Sequence, residues 1–251
     1  MYDPPGYLWA IIIAGITAIP AATCVVLYGG AVRAGLGRAS AALLAGGAAV
    51  VLGGWFTASA VIAGHGWYHT RLGHGVPWMP VAVIGFFGLL LALRRVPVVA
   101  RALAAPGMAS RLELPHSFRA AEGTAFLILM GLGHLPALFA LPAGLGDIAA
   151  GIAAPLVATG LARGGGRRAA LWHNAFGMTD LVVALTLGTL TGFQLVNVTP
   201  SGSLISELPI ALIPTAAVPL LFALHVTSVS ALARAPRTPR PATAQLTAAA
   251  S

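Results

Sequence analysis

The chain has 251 residues, of which 58% are hydrophobic and 8% charged, and its mean hydropathy is +0.88. A soluble domain carries roughly 25% charged residues, so this composition excludes one. The formal net charge of +8 does not point to nucleic acid, because the positive residues are scattered over short gaps between apolar runs and form no basic face.

Every positive residue is an arginine. The absence of lysine excludes a retinal Schiff base, although the outline resembles a rhodopsin. The single cysteine, Cys24, lies in the first apolar run and reads as a packed thiol. The N-terminal Met1-Tyr2-Asp3-Pro4-Pro5 puts no positive charge before that run. It therefore reads as a retained helix and not a cleaved signal.

A bilayer core takes about 20 apolar residues per helix. Hydropathy predicts seven spans, at about 7–29, 40–63, 77–93, 123–141, 147–162, 170–193 and 204–232. The arginines fall in alternate gaps: Arg33 and Arg38; Arg94, Arg95, Arg101, Arg111 and Arg119; Arg163, Arg167 and Arg168; then Arg234, Arg237 and Arg240. Only Arg71 falls in the other set. Cytoplasmic loops carry the excess of Arg. The expectation is an all-α integral membrane bundle of seven transmembrane helices in the plasma membrane, N-terminus outside and C-terminus cytoplasmic. Residues 1–233 form one domain and 234–251 a disordered tail rich in Pro and Ala. The lipid bilayer is its first partner, and the loop arginines meet anionic headgroups.

Within this frame, the second inner gap is long, and Val98, Val99 and Leu103 against Arg94, Arg95 and Arg101 predict a short amphipathic helix in the interface. Pro142-Ala-Gly-Leu-Gly146 reads as a short outer link between the fourth and fifth spans. Pro136 and Pro155 interrupt those spans, and Pro209, Pro214 and Pro219 recur in the last. Such prolines free carbonyls that need partners, either as ordinary kinks or as a broken helix lining a cavity. Gly46, Gly47, Gly53, Gly54, Gly146 and Gly151 read as close-packing positions.

The segment Leu135-Pro-Ala-Leu-Phe-Ala-Leu-Pro-Ala-Gly-Leu-Gly-Asp147, preceded by Pro115-His-Ser-Phe-Arg119, resembles an uncharacterised group of bacterial multi-pass membrane proteins. Residues 172–185 and 208–225 are similar to their later helices. The resemblance implies the topology and carries no activity with it. The histidines at 65–74 are not part of it.

Ionisable groups at membrane depth are costly and face the bundle interior. His134 and Asp180 fall at similar depth and are expected to face one another, either as a proton-handling or ligand-binding pair or as a structural hydrogen bond. His173, Gly177, Asp180, Ala184 and Thr191 recur at helical spacing as one small, polar face. His173 and Asn174 also fit an interfacial cap beside Trp172. His225 is expected near the inner end of the last span and Glu207 near its outer end. His65, His69 and His74, with Asp147 or Glu207 at nearby helix starts, compose a weak candidate metal set of imidazole and carboxylate. The flanking glycines argue for a plain loop. His134, His173 and His225 sit singly on separate helices, which gives no paired-histidine haem motif.

Three function classes remain open. The first is binding or transport of a small or lipophilic molecule in an intramembrane cavity. The second is a membrane-embedded acid–base enzyme acting on an apolar substrate, and the third a subunit or assembly factor without chemistry. A cavity favours the first, and converging carboxyls favour the second.

Overall fold

The computed structural model describes residues 5–69 and 76–234. Every regular element among them is helical: α1 (Gly6–Arg33), α2 (Arg38–Gly64), α3 (Trp78–Leu93), α4 (Pro97–Leu103), α5 (Met108–Glu113), α6 (Arg119–Gly131), α7 (Ala137–Ala162), α8 (Arg167–Gly192) and α9 (Val218–Arg234). Short 3₁₀ turns cover Trp67–His69, Leu114–Phe118 and Gly202–Ser206, and a π turn covers Ile213–Ala217. Five helical stretches are long and apolar enough to cross a membrane: α1, α2, α7, α8 and Ile213–Arg234. α3 and α4 pass the same test as a pair bent by 84°. Arg71, His74 and the tail beyond Arg234 lie outside the described residues.

The expected short helix is present as α4; Val99 and Leu103 on it are half-buried, and Val98 and Arg101 are exposed. The largest departure follows it. α5, the 3₁₀ turn Leu114–Phe118 and α6 run on without a gap from 108 to 131. The expected fourth span, 123–141, is thus displaced toward the N-terminus. The helix stops in a Schellman turn: Gly133 has φ 76°, its N–H donates to Met130 O and that of His134 to Leu129 O, both at 2.9 Å. Glycine at that left-handed position and Pro136 soon after are a helix stop. Hydropathy alone runs through it.

The expected outer link Pro142–Gly146 lies inside α7, which continues from Ala137 to Ala162. Its small residues serve helix contact. A Cβ on Gly144 would meet Leu127 at 2.9 Å, and one on Gly146 would overlap the Asp180 carboxylate. Gly151 is likewise closed, against Ala120. Gly46, Gly47, Gly53 and Gly54 are different: nothing lies within 4 Å of an added Cβ. These four do not bring helices together, because α2 packs mainly on α1 and turns this face outward.

The last helix begins later than expected, at the π turn, and Pro209 precedes it. Pro219 has no N–H to give Thr215 O, four residues back. Trp55 Nε1 takes that role, donating to Thr215 O at 2.9 Å, while the Trp55 ring stacks on Phe86 at 4.7 Å. The Thr215 hydroxyl meets Ser59 Oγ at 2.6 Å, and Ser59 meets the Tyr68 hydroxyl at 2.9 Å. The proline break is thereby tied to α2.

Trp55→Phe keeps the stack and removes the donor. It should lower unfolding stability by about 0.5–1.5 kcal/mol, read as the midpoint of denaturation in mild detergent. An unchanged midpoint would mean that the freed carbonyl has another partner.

Candidate functional site

Residues Glu113, His116, Arg119 and Glu122 recur every third position. A 3₁₀ turn has three residues per turn, so positions i and i+3 eclipse. The 3₁₀ segment Leu114–Phe118 therefore aligns this stripe on one face, where all four side chains are fully buried. They meet Asp147 from α7, His173, Asn174 and Asp180 from α8, and His225 and Ser228 from α9. At 1.5 Å rise, Asp147 lies about 15 Å and Asp180 about 20 Å along their helices, near mid-length.

Arg119 is the hub. Its Nε donates to Asp147 Oδ1 at 2.8 Å, its Nη2 donates to Asp180 Oδ2, and its Nη1 points to His225 Nε2 at 3.4 Å. A guanidinium only donates, so His225 Nε2 is the accepting nitrogen. His225 Nδ1 then carries the hydrogen and donates to Asn174 Oδ1 at 2.9 Å. The amide orientation is fixed independently, because Asn174 Nδ2 donates to Glu113 Oε1 at 2.7 Å and to Ala170 O at 2.8 Å. Ser228 donates to the same Glu113 oxygen at 2.6 Å.

His173 closes the network. Its Nδ1 lies 2.7 Å from Glu113 Oε2 and its Nε2 donates to Ala150 O at 3.0 Å. Both ring nitrogens face oxygen, so the set is complete with one proton held between Nδ1 and Glu113. His116 stacks on His225 with centroids 3.8 Å apart and meets His173 edge-on at 5.8 Å. Neither nitrogen of His116 and neither carboxylate oxygen of Glu122 has a hydrogen-bond partner. Gly177 makes room for this packing: a Cβ there would collide with the His225 ring and come within 3.0 Å of Arg119 Nη1.

A cavity of about 970 Å³ reaches this cluster. Asp147 lies on its wall, followed by Phe126, Phe139 and Leu181, and at the other end by Gln194, Ser201 and Ser203. It runs from the 193–206 segment toward the buried arginine.

Several sequence expectations change here. Asp180 is paired with Arg119. His134 lies in the turn between α6 and α7, so the two are not the facing pair expected from hydropathy depth. Arg119, expected in a cytoplasmic gap, is at the centre. Asp147 does not start a helix beside His65 and His69, because α7 begins before it; it joins the interior. His225 belongs to the central cluster, not to an inner helix end. His173 and Asn174 are buried partners of Glu113 and not an interfacial cap. Glu207 precedes the π turn and stands apart from the cluster. His65 is exposed, with Nδ1 2.8 Å from Val61 O. His69 lines the outer part of the cavity. Among the described residues, no group of three His, Cys, Asp or Glu is arranged to hold a metal. The expected small, polar face of α8 is present: His173, Gly177, Asp180 and Thr191 are all buried.

Arg119→Gln leaves Asp147 and Asp180 without their shared cation. Breaking a buried pair on one side costs about 3–5 kcal/mol, so this variant should unfold far earlier in detergent. Arg119→Gln combined with Asp147→Asn and Asp180→Asn should recover much of the loss. A single variant as stable as the native chain would refute the structural role of the triad. Gly146→Ala, which presses on Asp180, should cost about 1–3 kcal/mol by the same measurement, and Gly46→Ala almost nothing.

No curated protein and no solved structure matches the chain significantly. A family profile matches residues 76–233, more than half of the sequence. That stretch holds every residue of the buried cluster and excludes His65, His69 and His74. The chain belongs to the family described as Domain of unknown function (DUF8737).

Proposed function

We propose that the chain crosses the plasma membrane seven times, N-terminus outside, and binds or transports a small molecule in the cavity above Arg119. The ligand class that fits is an apolar body with a cationic or hydrogen-bond-donating head. The seven passages would be α1, α2, α3, the run 108–131, α7, α8 and 213–234. The run 108–131 is about 36 Å long at 1.5 Å per residue, enough for a bilayer core. Arg33, Arg38, Arg94, Arg95, Arg101, Arg163, Arg167, Arg168 and Arg234 then belong to one side, which supports a cytoplasmic assignment.

The observation that carries the ligand reading is the cavity with Asp147 on its wall. Two carboxyl groups, Asp147 and Asp180, meet one guanidinium, so the site has an excess of acceptors. A cationic or donor head supplies what is missing, and the Phe126, Phe139 and Leu181 walls suit an apolar body. An accessory subunit with a filled interior would need no such space.

Thermal denaturation with primary and quaternary alkyl amines of graded chain length tests this. A ligand at 100 times its Kd stabilises the folded chain by about 2.7 kcal/mol. Stabilisation is expected for the native chain and is expected to be lost in Asp147→Asn and in Gly188→Leu, which fills the cavity. No shift with any amine, or a shift that survives both substitutions, would overturn the reading. A membrane-embedded acid–base enzyme is the second reading, favoured by the convergence of Asp147 and Asp180 on Arg119. It requires chemical change of the bound molecule, read by mass spectrometry, where binding returns it unaltered.

Topology has a separate test. Cysteines at Arg71 and Gly165 should label from opposite sides of the membrane, and labelling of both from one side would end the seven-span proposal.

A further inference from the structure

We infer that the cleft between α2 and α3, at the arginine-bearing end, is a binding site for an anionic phospholipid, with an acyl chain inside and the phosphate on Arg94. This goes beyond the cavity reading and does not depend on it. The cleft has a volume of about 580 Å³. Its walls are apolar: Leu43, Gly47 and Val51 from α2, Leu90 from α3, Val99 from α4 and Leu224 from α9.

Four polar residues also reach it, Thr23, Ser40, Arg94 and Thr227. The hydroxyls of Thr23 and Thr227 are satisfied within their own helices, by Ile19 O at 2.9 Å and Ala223 O at 2.7 Å. Ser40 and Arg94 are left. Arg94 is absent from every ion pair and side-chain hydrogen bond among the described residues. It sits at the 84° bend between α3 and α4, where the chain turns from the bundle into the interface.

The surface around the cleft selects the source of the ligand. Leu43, Val51 and Val96 on its walls are 78%, 37% and 40% exposed, which suits lipid and not water. An apolar slot with an unpaired guanidinium at its lip matches a phospholipid: hydrocarbon in the slot, charge at the headgroup level. Arg95, Arg33 and Arg38 lie at the same end of the bundle and add attraction for a negative headgroup. The sequence beyond Arg234 carries Arg237 and Arg240, and like charge disfavours it as the occupant of a site lipped by an arginine.

The test uses the full chain incubated in vesicles of equal phosphatidylglycerol and phosphatidylcholine, then extracted gently and examined by native mass spectrometry. The native chain should retain phosphatidylglycerol about five-fold over phosphatidylcholine, the ratio expected for one arginine at a membrane surface. Arg94→Gln should bring the ratio close to one. Gly47→Leu, which grows into the cleft where an added Cβ meets nothing within 4 Å, should lose both lipids. Should that variant misfold, Ala48→Leu fills the same wall. Equal retention by the native chain, an unchanged ratio in Arg94→Gln, or lipid kept by the filled variants would each overturn the site. So would greater lipid retention after truncation at Arg234, since the tail would then be the occupant.

Discussion

A guanidinium with no contact to solvent has to be neutralised where it lies, and the position of Arg119 imposes that on four segments at once. Asp147 comes from α7, Asp180 from α8, His225 from α9, and Arg119 itself from the start of α6. An unpaired charge at this depth costs several kcal/mol, so none of the three helices can drift from α6 without exposing one. The register of the bundle is tied to one side chain. Buried pairs of this kind give little net stability over apolar packing, and their removal from one side is heavily penalised. They fix an arrangement more than they strengthen it.

The same constraint explains where the chain has no side chains. Gly146 makes room for the Asp180 carboxylate and Gly177 for the His225 ring. Space in a membrane interior usually lets backbones approach; here it also admits polar groups. The hydrogen-bond directions then follow in sequence. Arg119 can only donate, so His225 accepts on one nitrogen and donates from the other. Asn174 is oriented by two acceptors, and Glu113 receives Asn174, Ser228 and His173. One hydrogen-bonded chain links the floor of the cavity to the start of α8.

The two ends of the bundle differ in chemistry. Toward the 193–206 segment, a wide cavity descends to an acceptor-rich floor. Toward the arginine-bearing end, an apolar cleft opens sideways under the α3–α4 bend. The first suits a ligand with a donor head, and the second a lipid. The unpartnered oxygens of Glu122 and nitrogens of His116 lie in the buried cluster behind Asp147, off the cavity wall. Groups so fully buried and unsatisfied are rare in folded proteins.

Composition and hydropathy by themselves determined that the chain is helical and apolar enough for a membrane, and located α1, α2, α3 and α8 to within a few residues. The short helix α4 was also legible, because its apolar and basic positions alternate within one turn. So was the polar face of α8. The fourth helix was not, because average hydropathy cannot distinguish a charged residue in a loop from one whose charge is cancelled by partners distant in sequence. The three-residue spacing of Glu113, His116, Arg119 and Glu122, and the Gly133–Pro136 stop, were present in the sequence as signals. Their meaning depended on a 3₁₀ turn that aligns the stripe and on carboxylates from α7 and α8 that make it tolerable. Pro142–Gly146 has the composition of a loop and the role of a packed helix for the same reason. Only the tertiary structure decides whether small residues face solvent, lipid or another backbone, because that depends on what the fold brings against them.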